Sequence, residues 1–161
     1  MTRESQMSTE ILSFFAAGTL VATHHGNKPI EEIAVGDCVL SFPRDSVPPD
    51  RPREPSEAKY RKVTLIAKLQ ADQLVDLTIM DLAAGLREAL RATPSSLIYQ
   101  SAHGWNEASR MGFGAKLENS VFGNLLVTKS RQGERSEAVY GLLVEEFGTY
   151  YTGEVHAWVH C

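Results

Sequence analysis

Cysteine is scarce in this sequence, and a long apolar run is missing altogether. The two cysteines, Cys38 and Cys161, are too few for a disulfide framework and fit a reducing compartment. The stretch Ile11 to Val21 is apolar, but Gly18 and Thr19 interrupt it, and it is too short to cross a bilayer. Glu4 and Glu10 precede it where a secretory signal would carry positive charge, so it does not read as one. The expected location is cytoplasmic. Positive charge is also in short supply, with 16 Lys and Arg against 20 Asp and Glu, a net charge of −4, and no basic block. That balance leaves no electrostatic footprint for nucleic acid or an anionic membrane, and neither is expected as a partner.

Proline is rare except in one place. Five of the seven prolines fall between Pro43 and Glu57, among Asp, Arg, Glu and Ser. Proline removes a ladder donor and fixes φ, so 43–57 is expected to be a mobile loop within one domain spanning 13–161, after a flexible lead-in at 1–12. Beyond the loop, Tyr60 to Gln70, Leu74 to Met80, Val121 to Lys129, Ala138 to Glu145 and Glu154 to His160 alternate apolar and polar residues, the period of strands. Asp81 to Ala92 is rich in Ala, Leu, Arg and Glu and favours helix on propensity. Propensity is a weak prior, however, and the expectation for this stretch is a hairpin turning at Ala84-Gly85. No repeat, low-complexity tract or heptad is visible. The expected fold class is all-β.

What the sequence does contain is an ordered series of short motifs. Ala17-Gly18-Thr19-Leu20-Val21 reads as a strand, followed by a turn at Gly26-Asn27, the brace Pro29-Ile30-Glu31-Glu32-Ile33, and a Gly-Asp turn opening Val35-Gly36-Asp37-Cys38-Val39-Leu40. Later come Arg91-Ala92-Thr93-Pro94-Ser95-Ser96-Leu97, Gly104-Trp105-Asn106-Glu107-Ala108 and Gly114-Ala115-Lys116-Leu117. The chain closes on Val139-Tyr140-Gly141-Leu142-Leu143-Val144-Glu145, Gly148-Thr149-Tyr150-Tyr151-Thr152-Gly153 and Val159-His160-Cys161. In order and spacing this resembles the Hint (Hedgehog/intein) family, and within it the pre-toxin Hint domains of bacterial polymorphic toxins.

The resemblance implies an all-β, flattened horseshoe of curved antiparallel strands that cuts or splices its own backbone. Such chemistry needs a nucleophile beside the scissile carbonyl, an acid for the leaving nitrogen, an oxyanion donor and, for splicing, a C-terminal Asn. At the matching positions this chain has Phe14 for the nucleophilic Cys, Ser96 for the His of T-x-x-H, and Cys161 for the Asn. Ala115, Gly141 and Gly148 also replace an Asp, an Asn and a His of the family pattern. Thr93 and His160 are retained. Ser13 is a candidate rescue nucleophile, although a one-residue slip on a strand turns its side chain to the opposite face.

Two functions follow from the resemblance. The first is a catalytically degenerate Hint domain acting as a binding or scaffold module, with a protein or extended peptide as partner in the relic cleft. The alternative is residual autoprocessing through Ser13 or Cys161. No cofactor is expected. His156 and His160 would share a strand face, with Cys161 adjacent, but these supply too few ligands for a metal. Phe14 and Phe15 are expected in the core or lining the cleft, Trp105 and Trp158 in the core, Cys38 as a small buried residue, and His24-His25 as a solvated turn pair.

Overall fold

The computed structural model describes residues 10–45, 54 and 57–161. Most of the expected 43–57 loop therefore lies outside the described residues. Within them the chain forms twelve strands: β1 (Phe15–Ala16), β2 (Leu20–Thr23), β3 (Gly26–Pro29), β4 (Cys38–Ser41), β5 (Lys59–Asp81), β6 (Leu86–Ala92), β7 (Leu97–Gln100), β8 (Gly104–Glu107), β9 (Lys116–Glu118), β10 (Asn124–Val144), β11 (Thr149–Thr152) and β12 (Ala157–His160). They make one antiparallel sheet in the order β11-β12-β7-β9-β10-β1-β6-β5-β4-β2-β3, with β8 on β7. Thr152 of β11 pairs with Val21 of β2, and β10 pairs along β5, so the sheet curls back on itself. The all-β expectation is borne out. No helix among the described residues is long and apolar enough to cross a membrane.

The hairpin at 81–86 wins over the helix for a local reason. The Asp81 carboxylate accepts the N–H groups of Ala83 (3.1 Å) and Ala84 (3.2 Å), and Gly85 takes φ +70°. An Asp that caps its own turn and a glycine in the left-handed region override a weak helical preference. Elsewhere the strands run further than their alternation suggests. Tyr60–Gln70 and Leu74–Met80 fuse into β5, because Ala71 pairs with Glu137 and residues 73–75 with 132–134 across a register shift. Residues 124–129 and 138–144 fuse into β10 in the same way, whereas 121–123, expected in a strand, lie in a turn where Asn119 Oδ1 accepts the Val121 and Gly123 N–H groups. The first tight turn falls at His24-His25, not Gly26-Asn27, since Thr23 and Gly26 are already paired. Thr23 Oγ1 holds that turn by donating to the Gly26 carbonyl at 2.5 Å and accepting from His25 N–H at 3.0 Å. The last strand is shorter than expected: it starts at Ala157, with His156 in the preceding turn at φ +57°.

The backbone repeats although no repeat is visible in the sequence. The unit β2–β3–3₁₀ turn–β4 recurs as β7–β8–3₁₀ turn–β9. Ile33 N–H donates to Ile30 O as Met111 does to Ala108 O, both at 3.2 Å. Gly36 (φ +98°) donates to Val63 O at 2.9 Å, and Gly114 (φ +94°) donates to Val127 O at 2.8 Å. Aligned this way, the two copies share Leu20/Leu97, His25/His103, Gly26/Gly104 and Gly36/Gly114, too little to see in the sequence. Asp37 in the first copy accepts from Ala34 N–H (2.9 Å) and Lys28 Nζ (3.1 Å), which holds its carboxyl below the usual range. Ala115 stands there in the second. The copies meet where β1 and β6 cross, through the pair Phe15–Ala92.

The main apolar cluster runs through both copies, joining Phe15, Val21, Ile30 and Val39 to Ile98, Ala108, Leu117 and Tyr150. A second cluster holds Phe42, Tyr99, Tyr151 and Trp158, with half-buried Trp105 against it. The Trp105 and Trp158 rings are 4.6 Å apart, so the expectation of core tryptophans holds. His24 and His25 are exposed, as expected, while Cys38 is half-exposed and not buried.

Candidate functional site

The repeat axis is also where the motif residues converge. Phe15 pairs with both Ala92 and Tyr140, which sets residues 12–14 beside the turn that leaves β6. Pro94 shapes that turn, and Ser96 N–H closes it on Thr93 O at 3.0 Å. The Phe14 N–H then donates to Ser96 Oγ at 2.9 Å. Thr93 N–H donates to the Phe14 carbonyl at 3.0 Å, and Ser96 Oγ lies 3.1 Å from that same oxygen and 2.7 Å from Thr93 Oγ1. From the other side, Leu12 and Ser13 N–H groups both donate to the Cys161 carbonyl, at 2.7 and 2.9 Å. Cys161 N–H donates to Gly148 O at 2.9 Å. Phe14, Thr93, Ser96 and Cys161 thus form one connected cluster around the Ser13–Phe14 peptide.

Gly141 has a specific reason to lack a side chain. A Cβ there would run into Ile11 Cγ2 and come within 2.7 Å of the Ser13 carbonyl oxygen and 3.1 Å of the Phe14 ring. Residues 11–14 are therefore seated directly on the backbone of β10. The Phe14 ring is half-buried and packs on Ala71, Leu74 and Val139. The sequence pattern flagged position 141 as a lost Asn but gave no hint that the chain's own N-terminal segment fills the space.

The chemistry open to these groups is limited. Phe14 has no nucleophilic atom. Ser96 sits at the amide nitrogen where an acid would be needed, but an alcohol is far too weak an acid at neutral pH to protonate it. Ser13 is fully buried, and its Oγ accepts Leu97 N–H at 2.9 Å; that partner is a donor, not a base that could take its proton. Burial pushes the Cys161 thiol up to about 12, so it stays protonated and unreactive.

His160 is buried, its ring set edge-on to Trp105 at 5.3 Å. Burial, reinforced by the nearby Arg44 cation, lowers its pKa to about 4, and its Nδ1 has no hydrogen-bond partner among the described residues. A histidine whose pKa falls on folding contributes full stability above its unfolded value of roughly 6.5. That contribution is lost as the pH drops toward 4. The expected loss is on the order of 2 kcal/mol after discounting for solvent screening. Urea midpoints at pH 7 and pH 4.5 check this: the native chain should lose more stability than His160→Gln, and equal losses would contradict it.

His156 and His160 do not share a face. His156 lies in the turn before β12, with its ring nitrogens 2.9 Å from Ser120 Oγ and 3.0 Å from Asn27 Oδ1. No group of three His, Cys, Asp or Glu side chains among the described residues is placed to hold a metal ion. Glu88, which sequence reasoning passed over, is a half-buried carboxylate that accepts Val155 N–H at 2.8 Å and crowds Gly153. Its only sequence signal is an acidic residue on the inward face of an alternating strand.

No protein-family model matches this sequence, and no curated protein does. Solved structures do. The chain is similar to a bacterial intein-like domain from Clostridium thermocellum, 27% identical over 92% of this chain and 98% of that one, with TM-score 0.78. It is also similar to the gp41-1 intein, 18% identical over 92% and 98% of the two chains, TM-score 0.70. A DnaB intein from Synechocystis sp. PCC 6803 superposes with TM-score 0.64 at 12% identity, over 92% and 98%. The chain has the Hint-type, intein-like fold.

Proposed function

We propose that this chain is a Hint-type domain that does not cut its own backbone and serves as a folded binding or scaffold module. The observation that carries this reading is the bond from Phe14 N–H to Ser96 Oγ. The amide that a working member of the family would cleave is gripped, but by a group that cannot protonate it and beside a side chain that cannot attack. The cleft's occupant is the chain's own segment 11–14, clamped by Cys161, Ser96 and Leu97. The domain then acts as a clasp that holds its entering strand against its last strand. The setting we propose, on the motif resemblance alone, is a bacterial polymorphic toxin system, with the clasp joining flanking regions rather than releasing them.

Amide hydrogen exchange tests the clasp. The N–H groups of Leu12, Ser13 and Phe14 should exchange as slowly as those of β10. Ser96→Ala removes the acceptor of the Phe14 N–H and should destabilise the fold by about 1–3 kcal/mol, the usual cost of stranding a buried donor, with exchange at residues 12–14 accelerating first. Fast exchange at these three amides in the native protein would refute the clasp.

A further inference from the structure

The internal repeat gives the Ser13–Phe14 site a counterpart across the Phe15–Ala92 pair. Residues 88–91 correspond to 11–14, Ala16 to Thr93, and Thr19 to Ser96. The same backbone bonds mark both places. Ser96 N–H reaches Thr93 O at 3.0 Å as Thr19 N–H reaches Ala16 O at 3.2 Å, and Ala108 N–H reaches Ser96 O at 2.8 Å as Ile30 N–H reaches Thr19 O at 2.7 Å. The difference lies in the filling. At the first site Ser96 and Ser13 side chains bridge the two walls. At the second the walls stand apart, and a cleft of about 220 Å³ opens between Ala16–Leu20 on one side and Glu88–Arg91 on the other, with Gly153 at its base.

We propose that this second cleft docks an extended segment of a partner polypeptide, which adds as a strand to the outer edge of β6 and directs a lysine or arginine side chain at Glu88. The edge is available because β1 meets β6 through a single residue pair and then turns away at Gly18, φ +89°. From Leu86 to Arg91, β6 has β5 on one side and, among the described residues, no strand on the other. An unpaired edge of this kind is a template for strand addition. The first cleft offers no such opening, since the Ser13 and Ser96 side chains tie its two walls together.

Charge decides the kind of partner. Glu88 is half-buried, so its carboxylate is short of solvation, and burial raises its pKa. A cation brought beside it would favour the ionised form. Glu154 lies close enough to repel it, and Glu31 borders the cleft by accepting Gly18 N–H at 2.7 Å. Arg91, the basic residue of the lining, is engaged by Glu137 at 3.1 Å. One carboxylate, Glu88, thus lines the opening with two more beside it, Glu154 next to Glu88 and Glu31 on Gly18, and the one cation of the lining is already paired. The inference rests on the fold and its repeat, not on whether the chain cleaves itself.

The probe is an acetylated, amidated pentapeptide Val-Lys-Val-Lys-Val, titrated into the ¹⁵N-labelled full chain. Amide shifts should appear at residues 16–20 and 86–91, with exchange protection gained along β6. Glu88→Gln, which keeps an acceptor for Val155 N–H, should weaken binding roughly fivefold, as for a partly exposed ion pair. The same peptide with glutamate for lysine, or with alternate backbone nitrogens methylated, should not bind. No shifts at millimolar peptide would overturn the proposal. So would shifts centred on residues 11–14 and 93–97, or equal binding of the N-methylated peptide.

Discussion

Phe14→Cys, Ser96→His and Cys161→Asn introduced together will give a junction that cleaves slowly when thiol is added. Ser96 Oγ lies 2.9 Å from the Phe14 nitrogen, so an imidazole grown from position 96 starts beside the leaving group. The new thiol at position 14 attacks the Ser13 carbonyl carbon. The C–N bond breaks, the proton passes from the imidazole to nitrogen, and a thioester forms that added thiol can exchange. Cleavage will be slow for a reason visible at Gly141. The Ser13 carbonyl oxygen faces that residue, which has no side chain to donate to an oxyanion, and one missing donor costs roughly 10²–10³-fold. Misplacement of about 1 Å adds roughly another 10²-fold. With Ser96 left in place, Phe14→Cys alone should be slower than the triple variant by roughly 10²–10⁴-fold, the usual contribution of a general acid. Mass spectrometry of a fragment ending at Ser13 is the readout. A triple variant no faster than Phe14→Cys alone would mean that position 96 does not serve the scissile nitrogen.

Gly141→Ala will destabilise the protein even though alanine should suit a strand better than glycine by roughly 0.5–1 kcal/mol. The added Cβ would meet the backbone oxygen of Ser13 at 2.7 Å as well as Ile11, and a backbone atom cannot rotate away as a side chain tip can. Residues 11–13 must lift, giving up the two bonds from Leu12 and Ser13 to the Cys161 carbonyl. Overpacking of this kind costs about 1–3 kcal/mol, or a fall in Tm of roughly 2–4 °C per kcal/mol for a chain of this size. Thermal melts and amide exchange at Leu12 and Ser13 check both halves. A Gly141→Ala protein that melts higher than the native one, with those amides still protected, would show that the segment is not seated on β10.

Much of this architecture was legible because its determinants are local. The Gly36-Asp37 turn, the 3₁₀ brace at Ile30–Glu32 and the Asp81–Gly85 hairpin each depend on residues adjacent in sequence. The convergence of positions 14, 96 and 161 was also legible, but through motif order, not physics: no local rule brings Leu12 N–H to the Cys161 carbonyl. The features that escaped notice depend on long-range pairing. Residues 71–73 separate two alternating runs, yet β5 continues across them through a register shift because β10 stays alongside. His156 alternates in step with His160, yet it takes a left-handed conformation in a turn. The repeat is carried by backbone hydrogen bonds and by buried positions such as Ile30 and Ala108, which tolerate different side chains. Gly141 reads as a lost catalytic neighbour when its role in the fold is to leave room for residues 11–14.

The central claim is that the Ser13–Phe14 peptide is held but not cut. Its most direct test is the intact mass of the native sequence fused to a reporter domain at each end, followed for days with dithiothreitol or hydroxylamine and without either. The account predicts a single full-length mass throughout, because no group at positions 13, 14, 96 or 161 is activated for attack or proton transfer. A thiol-dependent fragment whose new end lies at Ser13 or Phe14 would contradict it.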